Sequence, residues 1–460
     1  MTRRTVLLLS AAFLAGAVFA GPGAGLFVPR LAAAYADPAG SDKTRGLALF
    51  GEVMARIQSD YVKPVSTDDL IHYALDGLLS GLDPHSGYLD PKQWHEMRVE
   101  TRGKFGGLGM TVTGADGLLK VVSPIDGTPA ARAGIKPGDL ITTVNGKTIE
   151  GLTLTEAVDR LRGPPDTKVL ITIKREGDPN PIELTLTREI IHMQVVKSHL
   201  YGDIGYVRLA EFNDETDAGL RSAIASFRKT DGKKLSGVIL DLRNNPGGLL
   251  DQAVSVANDF LRSGLIVSTK GRQADDTQVW RARPGDLLTG VPVVVMINNG
   301  SASASEIVSG ALQDNHRAVL LGTRSFGKGS VQTLFPLRNG GAMRLTTARY
   351  YTPDGRSIQG QGIEPDVIVH ESDKPLPDFG PAHEWDLNNT ISNAGGTKAE
   401  APRRPDLQTA DGIPEKPPKD WPKFDPDKPN TDFQLHEALI LVRHLAADSG
   451  LNQPVQRVSR

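Results

Sequence analysis

Hydrophobic residues in the second half of the chain follow two alternating patterns. Continuous apolar, β-branched runs at 204–209, 237–242, 291–297 and 318–322 are typical of buried strands. Between these runs, residues 249–261 and 306–312 carry apolar side chains at helical spacing. Strands that alternate with helices predict an α/β sheet with right-handed crossovers.

The beginning of the chain has a different pattern. Arg3 and Arg4 precede an apolar run at 5–20, which is typical of an export signal. The run is shorter than the ~20 residues that span a bilayer. We therefore expect residues 1–36 to be a signal peptide or an inner-membrane anchor, with the rest of the chain in the periplasm. Residues 41–103 carry apolar positions at helical spacing and predict a helical domain that packs or dimerises.

The end of the chain changes character again. Residues 371–430 are rich in Pro, Asp, Lys and Gly and have no periodic apolar face, which predicts a linker. The last segment, 431–460, contains an amphipathic helix at 433–445. We expect this helix to dock on the body of the protein or on a partner.

Composition narrows the classes of function. A chain of 460 residues with 39% hydrophobic and 23% charged residues has room for two or three globular domains. A net charge of -2 argues against nucleic acid as a partner. The absence of cysteine excludes disulfides, a thiol nucleophile and thiolate metal ligands. Serine chemistry without a cofactor is left open.

The candidate chemistry lies in two short segments. The sequence N-N-G-S-A-S-A-S-E, with Ser303 at its centre, directly follows the run 291–297 and precedes a helix. Free N–H groups at such a strand-to-helix turn favour a developing oxyanion. Lys328, in S-F-G-K-G-S-V-Q, is a candidate base. An ordinary helix cap and a solvated glycine turn would explain the same residues.

A phosphate-binding loop is one competing interpretation of the lysine segment. The stretch from Gly322 to Lys328 fits most of a Walker A motif, but Gly329 stands where Ser or Thr must hold magnesium. The strand-like pattern at 330–337 also leaves no helix N-terminus for a phosphate. An ATPase is therefore disfavoured.

Two further chemistries have weaker support. A Ser-His-Asp triad would use His316 and Asp241, but the serine segment lacks the second glycine of G-x-S-x-G. A zinc site would use the His-Glu pairs at 95–96 and 436–437, but neither pair has a second histidine four residues after the first. We therefore expect no metal.

Three segments together resemble one peptidase family. D-L-R-N-N-P-G-G at 241–248, the serine segment and F-G-K-G-S-V-Q are similar to the carboxyl-terminal processing peptidases, also called tail-specific proteases. The resemblance covers about residues 41–369. It implies a mixed, multi-domain α/β protein: a helical N-terminal part, a PDZ-like β domain at 104–188, and a protease core at 189–370 with a Ser-Lys dyad.

The resemblance also implies roles for three side chains. Ser303 would be the nucleophile, Lys328 the general base, and Gln332 the residue that orients the base. A lysine accepts a proton near neutral pH only if burial lowers its pKa from ~10.4 to roughly 7, which costs about 4 kcal/mol. An uncharged amide such as Gln332 can hold the amine without raising that pKa again.

The expected oxyanion donors are the Ala304 N–H and one glycine N–H from the loop 246–248. We favour Gly247 over Gly248, since either glycine allows close approach of the backbone.

The segment F-G-G-L-G-M resembles the carboxylate-binding loop of a PDZ domain. The backbone amides of Gly107, Leu108, Gly109 and Met110 would bind the carboxylate at a chain end.

The implied partners are protein substrates with an apolar C-terminal tail, a possible adaptor protein and further copies of the chain. The β domain joins the rest of the chain near Gly103 and Val195, so we expect it to move and to control the dyad. In the resting state, we expect no hydrogen bond between Ser303 and Lys328.

We expect His85, in L-D-P-H-S, to be a structural turn residue. The alternative function is a catalytically inactive PDZ scaffold of the periplasm.

Overall fold

A computed structural model describes residues 40–115, 117–229, 235–373, 382–393, 405–410, 412–425 and 428–448. The predicted signal at 1–36 lies outside these residues. The chain divides into two compact units, Met1–Tyr73 and Ala74–Arg460. Among the described residues, no helix is both long and apolar enough to span a membrane.

The first unit is helical where it is described. Helix α1 covers Gly40–Asp60, and helix α2, Thr67–Ser80, begins in this unit. Several large apolar side chains of α1 are exposed, and Leu47 keeps 73% of its surface. The predicted helical character of this part of the chain is confirmed.

The second unit continues with strand β1, Gly87–Leu89, and helix α3, Pro91–Arg102. The side chain of Asp90 accepts a hydrogen bond from the Gln93 N–H and so caps α3. The helix ends at Gly103, whose φ of 64° is the left-handed conformation that suits glycine.

A small β domain follows. Its sheet has the order β3-β4-β5-β7-β8, with β6 paired to β5, so β3 is an edge strand. A separate ribbon, β2 and β9, connects the domain to the rest of the unit. The bounds are β2 Lys104–Gly107, β3 Met110–Ala115, β4 Leu118–Pro124, helix α4 Pro129–Arg132, β5 Leu140–Val144, β6 Lys147–Thr148, helix α5 Leu154–Leu161, β7 Lys168–Lys174, β8 Ile182–Thr187 and β9 Glu189–His192.

The core of the second unit is a six-stranded sheet in the order β10-β11-β12-β15-β16-β19. The edge strand β10 is antiparallel to β11, and the other pairs are parallel. The strands are β10 Val196–Tyr201, β11 Ile204–Leu209, β12 Gly237–Asp241, β15 Val293–Ile297, β16 Val319–Gly322 and β19 Val367–Ile368. The four predicted strands of the core are thus confirmed.

Helices cover both faces of this sheet. Helices α6 (Thr216–Lys229), α7 (Leu250–Asn258) and α8 (Ala304–Asp314) share one apolar cluster with it, and the terminal helix α10 (Phe433–Asp448) shares another. Successive residues of β12 point to opposite faces: Val238 and Leu240 join the first cluster and Ile239 joins the second. Burial on both faces explains why these strands are continuous apolar runs.

A second, antiparallel sheet lies beside the core. Its order is β1-β18-β13-β14, with β17 paired to β18. The bounds are β13 Leu265–Gly271, β14 Gln278–Arg281, β17 Ser330–Pro336 and β18 Ala342–Tyr351. Strand β17 begins two residues after Lys328, so a strand and not a helix follows the lysine loop, as predicted.

The linker predicted at 371–430 is wrong for several of its described parts. Glu384 is fully buried, and Ile413 belongs to the apolar cluster beneath α10. A short helix, α9, covers Pro405–Ala410. The Trp421 ring packs edge-on against Phe433 with centroids 5.0 Å apart. Isolated apolar and acidic residues in a proline-rich stretch give no periodic signal in the sequence. In the structure, each of these residues is nevertheless packed against other parts of the chain.

Candidate active site

Three serines follow β15, and the structure uses them differently. The Ser301 hydroxyl donates to the Leu242 carbonyl, at 2.8 Å, and the Ser305 hydroxyl donates to the Asn245 carbonyl, at 2.9 Å. Both residues are fully buried, and both fasten the turn to the segment after β12. The Ser303 hydroxyl makes no capping bond, and within the described residues it has no hydrogen-bond partner. Of the three, Ser303 has the hydroxyl available for chemistry.

The backbone of Ser303 is in an unusual conformation. Its φ is 52° and its ψ is -109°, which is strained for a residue with a side chain. Strain of this kind costs about 1 to 3 kcal/mol and persists only where neighbouring contacts hold it. Here the Ser303 N–H donates to the carboxylate of Glu306 at 2.7 Å. The conformation of Ser303 is therefore held by Glu306, a residue in the first turn of helix α8.

Glu306 connects the serine turn to the lysine loop. One of its oxygens, Oε2, accepts from the N–H groups of Ser303, at 2.7 Å, and Lys328, at 3.0 Å. The other, Oε1, accepts from the Ser325 hydroxyl and from the Gly327 N–H. Burial raises the pKa of Glu306 to about 7, although all four hydrogen bonds act in the opposite direction. A single buried carboxyl thus fixes both segments.

The sequence-based prediction missed this role of Glu306. The signal was present as S-x-x-E, the spacing of a capping box. That pattern indicates a bond from the carboxylate to the Ser303 N–H. It does not indicate that a segment about twenty residues away shares the same carboxylate.

The side chain of Lys328 is largely desolvated. Burial lowers its pKa, and the guanidinium of Arg344 acts in the same direction. The carboxylates of Glu384, Glu306 and Asp83 oppose this shift. The net direction is the one that a lysine needs to act as a base near neutral pH.

Ser303 and Lys328 lie on segments that share Glu306, but their side chains are not hydrogen-bonded to each other in the described part of the chain. Gln332 does not hydrogen-bond Lys328 there either. Its Nε2 donates to the Ser330 hydroxyl at 2.9 Å and to Thr346 Oγ1 at 3.3 Å.

The two candidate oxyanion glycines differ in their hydrogen bonds. The Gly247 N–H donates to Asn245 Oδ1 at 2.9 Å, so it is already engaged. Within the described residues, the N–H groups of Gly248 and Ala304 have no acceptor. A Cβ on Gly247 would lie 2.9 Å from the Ser303 Cβ and 3.0 Å from the Ala304 nitrogen. Gly247 thus lies against the serine turn with its N–H engaged, whereas Gly248 has an open N–H and lies against Phe212. The choice between the two glycines stays a prediction.

A buried ion pair supports the glycine loop. Arg243 donates to both oxygens of Asp241 and to both oxygens of Asp432, which lies at the start of α10. Asp241 is fully buried and also accepts from the Tyr206 hydroxyl. Asp241, the acid considered for a Ser-His-Asp triad, is thus paired with Arg243. His316 lies beyond the end of α8 that is distant from Ser303, so the three residues do not form a triad.

The β domain places the predicted carboxylate loop between β2 and the edge strand β3. The carbonyls of Leu108 and Gly109 accept from Ala130 and Ile125, each at 2.9 Å. Their N–H groups have no acceptor among the described residues. Gly109 has a φ of 75°, and a Cβ there would lie 2.3 Å from the Thr128 side chain. Unpaired N–H groups beside an open strand edge can bind an added peptide chain end.

This fold and site define the class of serine peptidases that carry a PDZ domain. The model of peptidase family S41 matches residues 203–369, and a PDZ domain model matches residues 120–175. The "Carboxy-terminal-processing protease" of Bartonella bacilliformis is 47% identical over 398 residues, which cover 86% of this chain and 88% of that protein. The chain belongs to peptidase family S41, among the carboxy-terminal-processing serine proteases.

Other known proteins are similar to parts of the chain. The "Probable CtpA-like serine protease" of Staphylococcus aureus is 38% identical over 316 residues, 68% of this chain and 62% of that protein. The solved structure of the photosystem II D1 C-terminal processing protease is 30% identical, with a TM-score of 0.42, and the match covers 74% of this chain and 97% of that chain. The resemblance to the processing peptidases is confirmed by the S41 family model and by the Bartonella bacilliformis relative.

Proposed function

We propose that the chain is a periplasmic endopeptidase that selects proteins by their C-terminal tail and hydrolyses peptide bonds with Ser303 and Lys328. The observation that carries this proposal is the free hydroxyl of Ser303 between two serines whose hydroxyls are used structurally. The lowered pKa of the partly buried Lys328 supports its role as general base. An inactive scaffold would require neither feature.

The proposed reaction begins when neutral Lys328 removes the proton of Ser303 as Oγ attacks the scissile carbonyl carbon. The resulting oxyanion would accept hydrogen bonds from the N–H groups of Ala304 and of Gly247 or Gly248. Lys328 then gives its proton to the leaving amine, which departs and leaves an ester on Ser303. Water, deprotonated by Lys328, hydrolyses the ester and restores the enzyme.

Gln332 is proposed to orient the lysine amine when the dyad is aligned. Its amide nitrogen is occupied by Ser330 and Thr346, which leaves Oε1 as the atom that can accept from the amine. A dyad without a hydrogen bond between Ser303 and Lys328 would then be a resting state. Substrate binding to the β domain would shift the population toward the aligned state through differential affinity.

The proposed substrates are proteins with an apolar C-terminal tail. The tail would add a strand at the free edge of β3, and the amides of residues 107–110 would bind its carboxylate. The export signal predicted at residues 1–36 supports a periplasmic location, where an adaptor protein could deliver substrates. The exposed apolar side chains of α1, among them Leu47 and Val53, support association with another copy of the chain.

Amidation of the substrate tail tests the proposed recognition. We expect an amidated substrate to lose about 10- to 100-fold in kcat/KM relative to the free acid, because charge-assisted bonds to the Leu108 and Gly109 amides would be weakened. The assay compares two unfolded proteins that differ only at the terminal group. A chelator should change neither rate. Equal rates for the two forms would remove tail recognition from the proposed function.

Removal of the β domain tests its control of the dyad. Gly107 and Glu189 are opposite each other in the β2–β9 ribbon, so an Asn-Gly turn can replace residues 108–188. The apolar cluster of the β domain is separate from the clusters of the core, which should remain packed. We expect the shortened enzyme to be inactive or indifferent to the tail. A shortened enzyme with both its rate and its tail preference intact would contradict the proposed role of the domain.

A further inference from the structure

A short segment, 382–387, crosses the loop that carries Lys328. The N–H of Glu384 donates to the Phe326 carbonyl at 2.9 Å. The Nδ1 atom of His383 lies 3.1 Å from the Ser325 carbonyl oxygen. The segment therefore contacts the backbone of the lysine loop just before Lys328.

The carboxylate of Glu384 reaches the same loop on the other side of Lys328. Its Oε1 accepts from Gln359 Nε2 at 2.9 Å, and Gln359 Oε1 accepts from the Gly329 N–H at 3.0 Å. Both Glu384 and Gln359 are fully buried. Glu384 thus holds the backbone on both sides of the lysine, directly at Phe326 and through Gln359 at Gly329.

His85 is the second partner of this carboxylate. Its Nε2 lies 2.9 and 3.0 Å from the two oxygens of Glu384. The turn that presents His85 is fixed by Asp83, whose Oδ1 accepts from the His85 N–H, and the His85 carbonyl accepts from Arg344. The predicted turn is confirmed, but the prediction did not include the contact of the ring with a buried carboxylate.

We propose that Glu384, paired with His85, is a positioning residue that fixes the location and the local charge of the general base. This inference rests on the proposed role of Lys328. Glu384 does not touch the substrate or the reacting atoms. It acts on catalysis through the lysine loop.

The charge of Glu384 opposes the two influences that lower the pKa of Lys328. Burial and the Arg344 guanidinium lower the pKa of Lys328, whereas Glu384, Glu306 and Asp83 raise it. The His85 ring also faces this group of charges, because its Nε2 contacts the Glu384 carboxylate at 2.9 Å. Removal of the Glu384 charge should therefore lower the pKa of Lys328 further and make the free base available at lower pH.

The test is the pH profile of Glu384→Gln, a replacement of almost the same shape. We expect the acid limb of kcat/KM to move to lower pH by about 0.5 to 1 unit. The plateau kcat should fall about tenfold because the loop is held less firmly. The matched control is Glu437→Gln, another buried glutamate, located in α10. An unmoved acid limb in Glu384→Gln overturns the proposal, since a purely structural residue would not move it.

A second variant applies if Glu384→Gln does not fold. Gln359→Leu cuts the connection to the Gly329 N–H without changing any charge, so we expect a tenfold lower plateau kcat with the acid limb in place. A plateau within twofold of wild type would overturn the proposal. Lys328→Ala separates this failure from failure of the proposed function. If Lys328→Ala is active, Lys328 is not the general base and the proposed function fails. If Lys328→Ala is inactive and Gln359→Leu has normal activity, only the role of Glu384 fails.

Discussion

Replacement of Ser303 by alanine is expected to lower kcat by at least about three orders of magnitude while the fold is retained. Lys328→Ala should have a similar effect, because the two groups act as a unit and loss of either prevents activation of the nucleophile. Gln332→Ala should be less severe, with about 10- to 100-fold lower kcat. The measurement is hydrolysis of an unfolded protein with an apolar tail, together with the melting temperature of each variant.

Two controls distinguish the chemistry of the dyad from the structure around it. Ser309→Ala removes a buried hydroxyl that donates to the Ser305 carbonyl within α8, and it should keep near-normal activity. Lys328→Arg keeps a cation but removes the group that can lose its proton, so it should be as inactive as Lys328→Ala. Turnover by Ser303→Ala near the wild-type rate would contradict the assignment of the nucleophile.

The second large effect is expected at Glu306. A glutamine there has one acceptor and one donor end, but four donors face the carboxylate. If the amide nitrogen takes the place of Oε2, the N–H groups of Ser303 and Lys328 lose their acceptor. Each unsatisfied buried donor costs about 1 to 3 kcal/mol. We therefore expect Glu306→Gln to lower kcat by about 100-fold and to lower the melting temperature.

Glu437→Gln is again the matched control, because burial raises the pKa of Glu437 to about 7 as well. It should keep its activity within about twofold, since no hydrogen bond of the described residues connects it to the serine turn. Unchanged kcat in a folded Glu306→Gln would show that the shared carboxylate is not needed for alignment of the two segments.

The raised pKa of Glu306 also has a consequence for stability. The ordinary pKa of a glutamate is 4.5, and that of Glu306 in the folded chain is about 7. Between these two pH values, the carboxyl group of Glu306 binds its proton more strongly in the folded chain than in the unfolded chain. The contribution of Glu306 to stability is therefore complete at low pH and is lost as the pH rises through about 7. The melting temperature of Glu306→Gln should fall less over this interval than that of wild type.

The sequence predicted the elements of the core closely because their signals are local. A parallel strand covered on both faces must be apolar at every position, so the runs at 204–209, 237–242 and 291–297 could be located to within a residue or two. The serine and lysine segments were found for a related reason. Each is a short motif at the end of such an element, where backbone groups are free.

Contacts between distant segments could not be read in the same way. The sequence does not show that Glu306 is shared with the loop before β17, or that Asp432 at the start of α10 binds Arg243 beside the glycine loop. The hydrogen bond that occupies the Gly247 N–H depends on the side-chain conformation of Asn245. Composition indicates a linker around Glu384, yet the residue is buried beside the lysine loop.

The amino-acid sequence by itself thus determined the class of fold, because periodicity acts over a few residues. It also identified the candidate nucleophile and base, through short motifs and the resemblance of those motifs to the processing peptidases. Only the tertiary structure decided which serine hydroxyl is free, which glycine N–H is open and which buried acids surround Lys328. The free serine hydroxyl and the acids around Lys328 depend on contacts between residues 22, 59 and 299 positions apart, which leave no local pattern in the chain. The open glycine N–H depends on the side-chain conformation of Asn245.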